Sequence, residues 1–201
     1  MSRSVAILAT IVAVAGAALP AYGAGARSSS VDPSLLVLRP SDLPSGYRPL
    51  ATTFVSNEQA DRNASGPHCR ARPALSAEAG RVDGFDASFA RRKPESILES
   101  SASVHRSSGG AGKVVASFGR VLSTCRGVKL RRVPVGGRLG QQAELWTGSD
   151  AEGGRKSKVA LVVWRWHERV GMLISAGPVA MDASLLVRLA KKQEARMEAA
   201  S

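Results

Sequence analysis

The stretch VALVVWRWH, residues Val159–His167, decides how this chain folds, because it has the composition of a β-strand. β-branched and aromatic side chains pack well on the pleated surface of a sheet. In an extended strand, alternate residues of Ala160–Trp166 would share one face. The opposite face is also apolar as far as Val163. Apolar residues on both faces predict a central strand that is partly covered on each side.

The residues around this strand predict a hairpin and further strands. Met172–Ala176 has a matching composition and follows the turn Glu168–Gly171, which predicts a β-hairpin with a four-residue connection. Shorter runs with the composition of strands lie at residues 47–56, 85–89, 97–106, 128–135 and 143–147. The polar stretch Asn57–Pro67 is interpreted as a loop. Glycine-rich turns separate several of the runs, so we expect antiparallel neighbours.

Two stretches show the period of a helix instead. From Ala111 to Cys125 the apolar residues recur at spacings of 3, 1, 3, 3, 1 and 3, so that Cys125 closes the last turn of a predicted helix. Asp182 is a good N-cap for a final helix whose inner leucine stripe begins at Leu185. Arg196 falls on the apolar side of that helix, so its last turn is expected to fray or to pass the edge of the core. The fold class predicted is α+β, with a single antiparallel β-sheet packed against two or three helices.

The first residues have the layout of a secretory signal peptide. A short positive start precedes Val5–Leu19, which carries no charge, and Ala24-Gly25-Ala26 is a small-residue cleavage site. A membrane anchor is the alternative, but this apolar run is shorter than the roughly 20 residues that a spanning helix needs. We therefore expect residues 1–26 to be a signal peptide, residues 27–34 a flexible lead and residues 35–199 one exported domain without a stable membrane span.

The two cysteines of the chain, Cys69 and Cys125, are expected to form a disulfide, because an even number of cysteines outside the cytoplasm is usually paired. The alternative is a catalytic thiol assisted by the adjacent His68. Sequence neighbours rarely face one another productively, and the motifs that surround nucleophilic cysteines are absent.

The net charge of +12 makes the chain strongly basic, with 28 Lys and Arg against 16 Asp and Glu. The cations are spread along the chain and are not interleaved with aromatic residues, so no nucleic-acid partner is expected. The charge instead predicts a weak, salt-sensitive attraction to anionic cell-envelope polymers or lipid head groups.

No catalytic or cofactor-binding motif is present. The sequence contains no GxGxxG after a strand, no Walker-type loop and no GxSxG elbow. His68, His105 and His167 lack the spacing of a metal site on one element. We predict no catalytic residue, no cofactor and no metal. Because paired carboxylates can come from distant strands, an unrecognised hydrolase stays open as the least favoured alternative.

One cluster supports a binding hypothesis. Trp164, Arg165, Trp166 and His167 bring two of the three tryptophans to the end of one strand. Aromatic and cationic side chains at the rim of a cleft can hold an apolar or anionic ligand. Packing of both tryptophans in the core is the alternative interpretation.

The order of these features resembles a known family. The turn DLPSGY at Asp42–Tyr47 is followed by Cys69, a strand that ends near Phe89, a helix that ends at Cys125, a long hairpin and a leucine-rich last helix. This pattern resembles the exported actinobacterial domains related to the extracellular sensor domain of PknH-like kinases, over residues 35–197. The resemblance implies an α+β fold whose antiparallel sheet packs against helices and forms a groove for a ligand. PsbP-like exported domains remain an alternative.

Two departures limit what the resemblance implies. The sensor domain of that family carries two disulfides, whereas two cysteines can form one. We also expect no attached kinase and no membrane helix, since the 201 residues contain neither. We therefore expect a secreted, non-enzymatic ligand-binding or sensor-like module of the cell envelope, with a small molecule, a lipid or an anionic polymer as its partner. A structural or protein-interaction module is the second hypothesis.

Overall fold

Seven strands form one antiparallel sheet in the computed structural model, which describes residues 31–64, 76–124, 128–150, 157–179 and 181–200. In chain order the strands are β1 (Tyr47–Phe54), β2 (Arg81–Arg92), β3 (Glu95–His105), β4 (Val128–Val133), β5 (Gln142–Asp150), β6 (Ser157–Trp166) and β7 (Arg169–Gly177). In space they are ordered β1-β2-β3-β7-β6-β5-β4. The prediction of a single antiparallel sheet is confirmed.

Three α-helices accompany the sheet within the described residues: α1 (Asn57–Ala64), α2 (Ser108–Leu122) and α3 (Ala183–Ala199). Helices α2 and α3 lie on opposite faces, which we call the α2 face and the α3 face. On β6, Val162 and Trp164 point to the α3 face, whereas Leu161 and Val163 point to the α2 face. The expected coverage of this strand on both sides is confirmed, and it places β6 in the core.

The chain before β1 also belongs to the core of the α3 face. Leu36 and Leu38 are buried there, and the backbone N–H of Leu38 donates to Ser100 Oγ over 3.0 Å. Ser100 Oγ in turn donates to Gln193 Oε1 on α3 over 2.9 Å. The structure describes residues 31–34 of the expected flexible lead, and the mobility of the lead stays a prediction. These residues enter a turn capped by Asp32, because burial of the apolar residues that follow holds them against the sheet.

The connection of the central hairpin is shorter than predicted. Strand β6 ends at Trp166 and β7 begins at Arg169, so the turn has two residues and not four. His167 adopts a positive φ of 52°, the left-handed conformation that tight two-residue turns require. The sequence prediction was wrong because histidine gives no composition signal for this conformation.

Helix α2 begins and ends three residues earlier than predicted. The Ser107 side chain accepts a hydrogen bond from the backbone N–H of Gly110 over 3.1 Å, which starts the helix at Ser108. The helix ends at Leu122. Cys69, Cys125 and the expected signal peptide lie outside the described residues, and the disulfide and the cleavage remain predictions. Within the described ranges, no helix has the length and apolar character needed to cross a membrane.

The last helix is more firmly held than the sequence suggests. Asp182 caps it as expected, by accepting hydrogen bonds from the first backbone N–H groups. Its end does not fray, because the partly buried Arg196 forms an ion pair with Asp42 over 2.7 Å. The guanidinium of the buried Arg169 donates to the carbonyls of Met197 and Ala200. These contacts satisfy carbonyls that a helix end leaves without partners.

Candidate functional site

The predicted cluster at the end of β6 begins with a core residue. Trp164 is 0% exposed and lies on the α3 face. Its ring packs over Gly171 on β7, where a Cβ atom would collide with the indole. Trp164 is therefore packed in the core, as the alternative interpretation of the two tryptophans expects for it.

Trp166 and His167 are the members of this cluster that lie in contact. Trp166 is half-buried, and its ring meets that of His167 edge to face with centroids 5.2 Å apart. His167 is exposed in the turn, where its backbone N–H donates to Gln141 Oε1 over 2.7 Å. Arg165 points to the other face, because a Cβ on Gly112 of α2 would lie 3.6 Å from its Nε. The four predicted residues thus occupy both faces of the sheet, and only the Trp166–His167 pair offers accessible surface at one place. Their role in binding a ligand stays a prediction.

A second group of polar side chains lies on the α2 face, at the end of the sheet away from α2. We call it the polar patch and define it as Asp86 and Ser88 of β2 with Glu99 and Ser101 of β3. The register of the two strands pairs Asp86 with Ser101 and Ser88 with Glu99, so the four side chains form a compact square. All four are partly buried, although helix α2 packs mainly on β3 and the strands beyond it.

Arg81 lies at one end of the polar patch. Its guanidinium occupies the space above Gly84, where a Cβ would collide with it. Nη1 of Arg81 donates to Asn57 Oδ1 at the start of α1 over 2.8 Å. Gly84 is two residues before Asp86 on the same face of β2, so the cation lies next to the patch. A side chain at this position would displace the guanidinium from its place above β2.

Burial changes the protonation of the patch. Loss of hydration raises the pKa of Glu99 to about 8, and the negative charge of Asp86 adds to the effect. Burial also raises the pKa of Asp86, while the neighbouring Ser101 hydroxyl and the charge of Arg81 oppose this. At neutral pH the Glu99 carboxyl is therefore mainly protonated. A neutral carboxyl beside a hydroxyl can both donate and accept hydrogen bonds.

A serine–histidine pair adjoins the patch on β3. Ser103 Oγ and His105 Nε2 lie 3.0 Å apart, and His105 Nδ1 lies 3.0 Å from the carbonyl oxygen of Ala79. If Nδ1 donates to that carbonyl, Nε2 accepts from the serine, as in a nucleophile–base pair. Burial lowers the pKa of His105, and the nearby charge of Arg81 lowers it further. Strand β3 is paired on both sides, so its backbone N–H groups form the ladder and are not free to stabilise an oxyanion.

The polar patch was missed by the sequence analysis. The alternation of Phe85, Ala87 and Phe89 with polar residues predicts a half-buried strand with a solvated face. That Asp86 and Glu99 share this face depends on the register between β2 and β3. No sequence signal sets that register apart from its alternatives. Among the described residues, no three His, Cys, Asp or Glu side chains converge in a way that could hold a metal ion.

Comparison with known proteins bears on the fold. No protein-family model matches this chain, and no curated protein sequence matches it either. The chain is similar to the crystal structure of the extracellular domain of PknH from Mycobacterium tuberculosis, with a TM-score of 0.57 and 12% sequence identity. The similarity covers 81% of this chain and 94% of that domain. The PknH-like fold expected from the sequence is confirmed, and at this identity the comparison concerns the fold.

Proposed function

We propose that this chain is a sensor-like, non-enzymatic module that works outside the cytoplasm and binds a small polar ligand of the cell envelope at the polar patch. The shared fold supports it, because the similar protein is itself an extracellular domain. The signal-peptide layout of the first residues supports export. The actinobacterial origin implied by the resemblance is part of the same proposal.

The observation that carries the proposal is the mixed chemistry of a partly buried surface on the sheet. Within one square of side chains lie a carboxyl with a pKa of about 8, a second carboxyl and two hydroxyls, with Arg81 next to them. A ligand with hydroxyl or amine groups could form several hydrogen bonds here. Partial burial strengthens each of them, because competing water is reduced. Ser88 and Glu99 are the pair that lies farther from Arg81.

Mass spectrometry of small molecules released from the purified protein is the test. The protein is purified without unfolding and then denatured to release bound molecules. We expect a polar molecule that is retained by the wild type and lost from a Ser88→Ala, Glu99→Gln variant. Glu95→Gln is the matched control, because Glu95 is exposed on the same strand. Loss from Trp166→Ala with retention by the patch variant would instead assign binding to the Trp166–His167 pair. If no molecule is retained by any variant, the structural or protein-interaction hypothesis is favoured.

A hydrolase is the second candidate function, and the Ser103–His105 pair is the observation that favours it. The pair has the hydrogen-bond distance of a nucleophile and its base. Against it, His105 is 2% exposed and the surrounding backbone N–H groups are used by the sheet. Our proposal predicts that a fluorophosphonate probe does not label the protein. Labelling of the wild type that disappears in Ser103→Ala would establish the hydrolase and overturn the non-enzymatic proposal.

A further inference from the structure

A group of exposed cations lies at the β4 end of the sheet, away from the polar patch. We call it the basic surface and define it as Lys129, Arg131, Arg138, Lys158 and Lys191. All five are exposed, and none forms an ion pair within the ranges that the structure describes. The sequence explains part of this imbalance, since residues 100–143 contain eight Lys and Arg and no Asp or Glu.

The strand register places three of these cations together. Lys129 of β4 pairs with Ser149 of β5, which also pairs with Lys158 of β6. Arg131 lies two residues along β4, on the same face as Lys129. Since adjacent strands are about 5 Å apart, the Cα atoms of Lys129 and Lys158 are separated by roughly 10 Å. Three positive charges therefore project from one corner of the α3 face.

The loop between β4 and β5 lies at the other end of β4 from this corner and is attached to helix α3. The backbone N–H of Gly140 donates to Glu194 Oε1 over 2.6 Å, which fixes the loop to the helix. A Cβ on Gly137 would lie 3.7 Å from Lys191 Nζ, so the ammonium lies beside the residue that precedes Arg138. The carboxylate of Glu194 is engaged by the loop backbone. The basic surface thus runs along β4, from the corner with Lys129 and Lys158 at one end of the strand to the loop and helix α3 at the other end.

An apolar side chain borders the corner of the sheet that carries Lys129 and Lys158. Val179 is 50% exposed and follows Gly177, the residue that pairs with Lys158. Clusters of exposed Lys and Arg are attracted to the anionic head groups of a bilayer. Strand β4 and helix α3, which carry three of the five cations, contain no aromatic residue between them, and this disfavours recognition of a nucleic acid strand.

From this arrangement we propose that the basic surface docks the protein onto bilayers that contain anionic phospholipids. The cations lie against the phosphate groups, and Val179 enters the head-group layer. The polar patch belongs to the opposite face and the opposite end of the sheet, so it stays accessible when the protein is docked. The proposal does not depend on which ligand the patch binds.

Cosedimentation with lipid vesicles tests this proposal with the full exported chain. The probes are phosphatidylcholine vesicles with and without phosphatidylglycerol, at low and at high salt. We expect binding to the anionic vesicles alone, and its loss at high salt because exposed charges are screened. Each cation at the surface contributes roughly five-fold to binding, so Arg131→Gln with Lys191→Gln should weaken it on the order of 25-fold.

The control removes the same number of charges elsewhere. Lys113 and Arg120 are exposed on α2, on the other face of the sheet, and their double replacement by glutamine should change vesicle binding less than two-fold. Equal losses in the two double variants would overturn the proposal, because net charge alone would then explain binding. Absence of vesicle binding would overturn it as well. Binding to soluble dextran sulfate without binding to vesicles would assign the surface to an anionic polymer and not to a membrane. Circular dichroism checks that all variants are folded.

Discussion

The raised pKa of Glu99 predicts that the folded protein loses stability as the pH increases above neutrality. Folding raises this pKa from 4.5 to about 8, chiefly because burial penalises the carboxylate. Between these two values the folded chain holds a proton that the unfolded chain has released, so the free energy of unfolding falls as the pH rises. The slope is about 1.4 kcal/mol per pH unit well below pH 8 and vanishes above it. Integration from pH 7 to pH 9 gives a loss of about 1.4 kcal/mol.

Replacement of Glu99 by glutamine should remove this dependence, because the amide stays neutral at every pH. The assay is urea unfolding at pH 7, 8 and 9, followed by tryptophan fluorescence. His105 does not interfere in this range, since burial lowers its pKa from 6.5. Glu95→Gln, at the exposed start of the same strand, should retain the slope of the wild type. If the free energy of unfolding changes with pH equally in the wild type and in Glu99→Gln, the burial argument is refuted. The inference that the Glu99 carboxyl is protonated at neutral pH is then refuted as well.

Three further results are expected. Gly171→Ala should destabilise the protein by about 1–3 kcal/mol in urea, because its methyl group would enter the space of the Trp164 ring; an unchanged midpoint would contradict the packing. Asp42→Asn should cost about 1–2 kcal/mol of unfolding free energy, since it weakens the partly buried contact with Arg196, and a loss below a few tenths of a kcal/mol would show that this contact does not hold α3. Alkylation of the exported protein before and after reduction should reveal two thiols only after reduction, whereas free thiols from the start would exclude the Cys69–Cys125 disulfide.

The sequence analysis predicted most accurately the elements whose own apolar pattern shows which faces are buried. Strand β6 was found because Val159–Val163 is apolar on both faces, and α3 because Asp182 precedes a leucine stripe. Helix α1 was interpreted as a loop because NEQADRNA contains few apolar residues to show a period. It is attached by polar contacts such as the bond between Asn57 and Arg81, which composition does not reveal.

The polar patch could not be predicted from the sequence for a different reason. Asp86 and Glu99 lie 13 positions apart in the sequence, and they converge because the turn between β2 and β3 sets one register among several. The Trp164–His167 cluster was conspicuous in composition, yet alternation along β6 sends Arg165 to the opposite face. A cluster along one strand predicts shared chemistry only for every second residue. The basic surface was not predicted either, because its members come from β4, β6, a loop and α3 and converge only in the folded structure.

The central claim is that the polar patch binds the ligand, and amide NMR with the molecule released from the purified protein tests it most directly. On titration of that molecule into ligand-free protein, we expect the amide signals of residues 86–88 and 99–101 to shift in a saturable way. In Ser88→Ala, Glu99→Gln the same titration should leave them unchanged. Shifts confined to residues 164–167, or no shift at saturating ligand, would contradict the account.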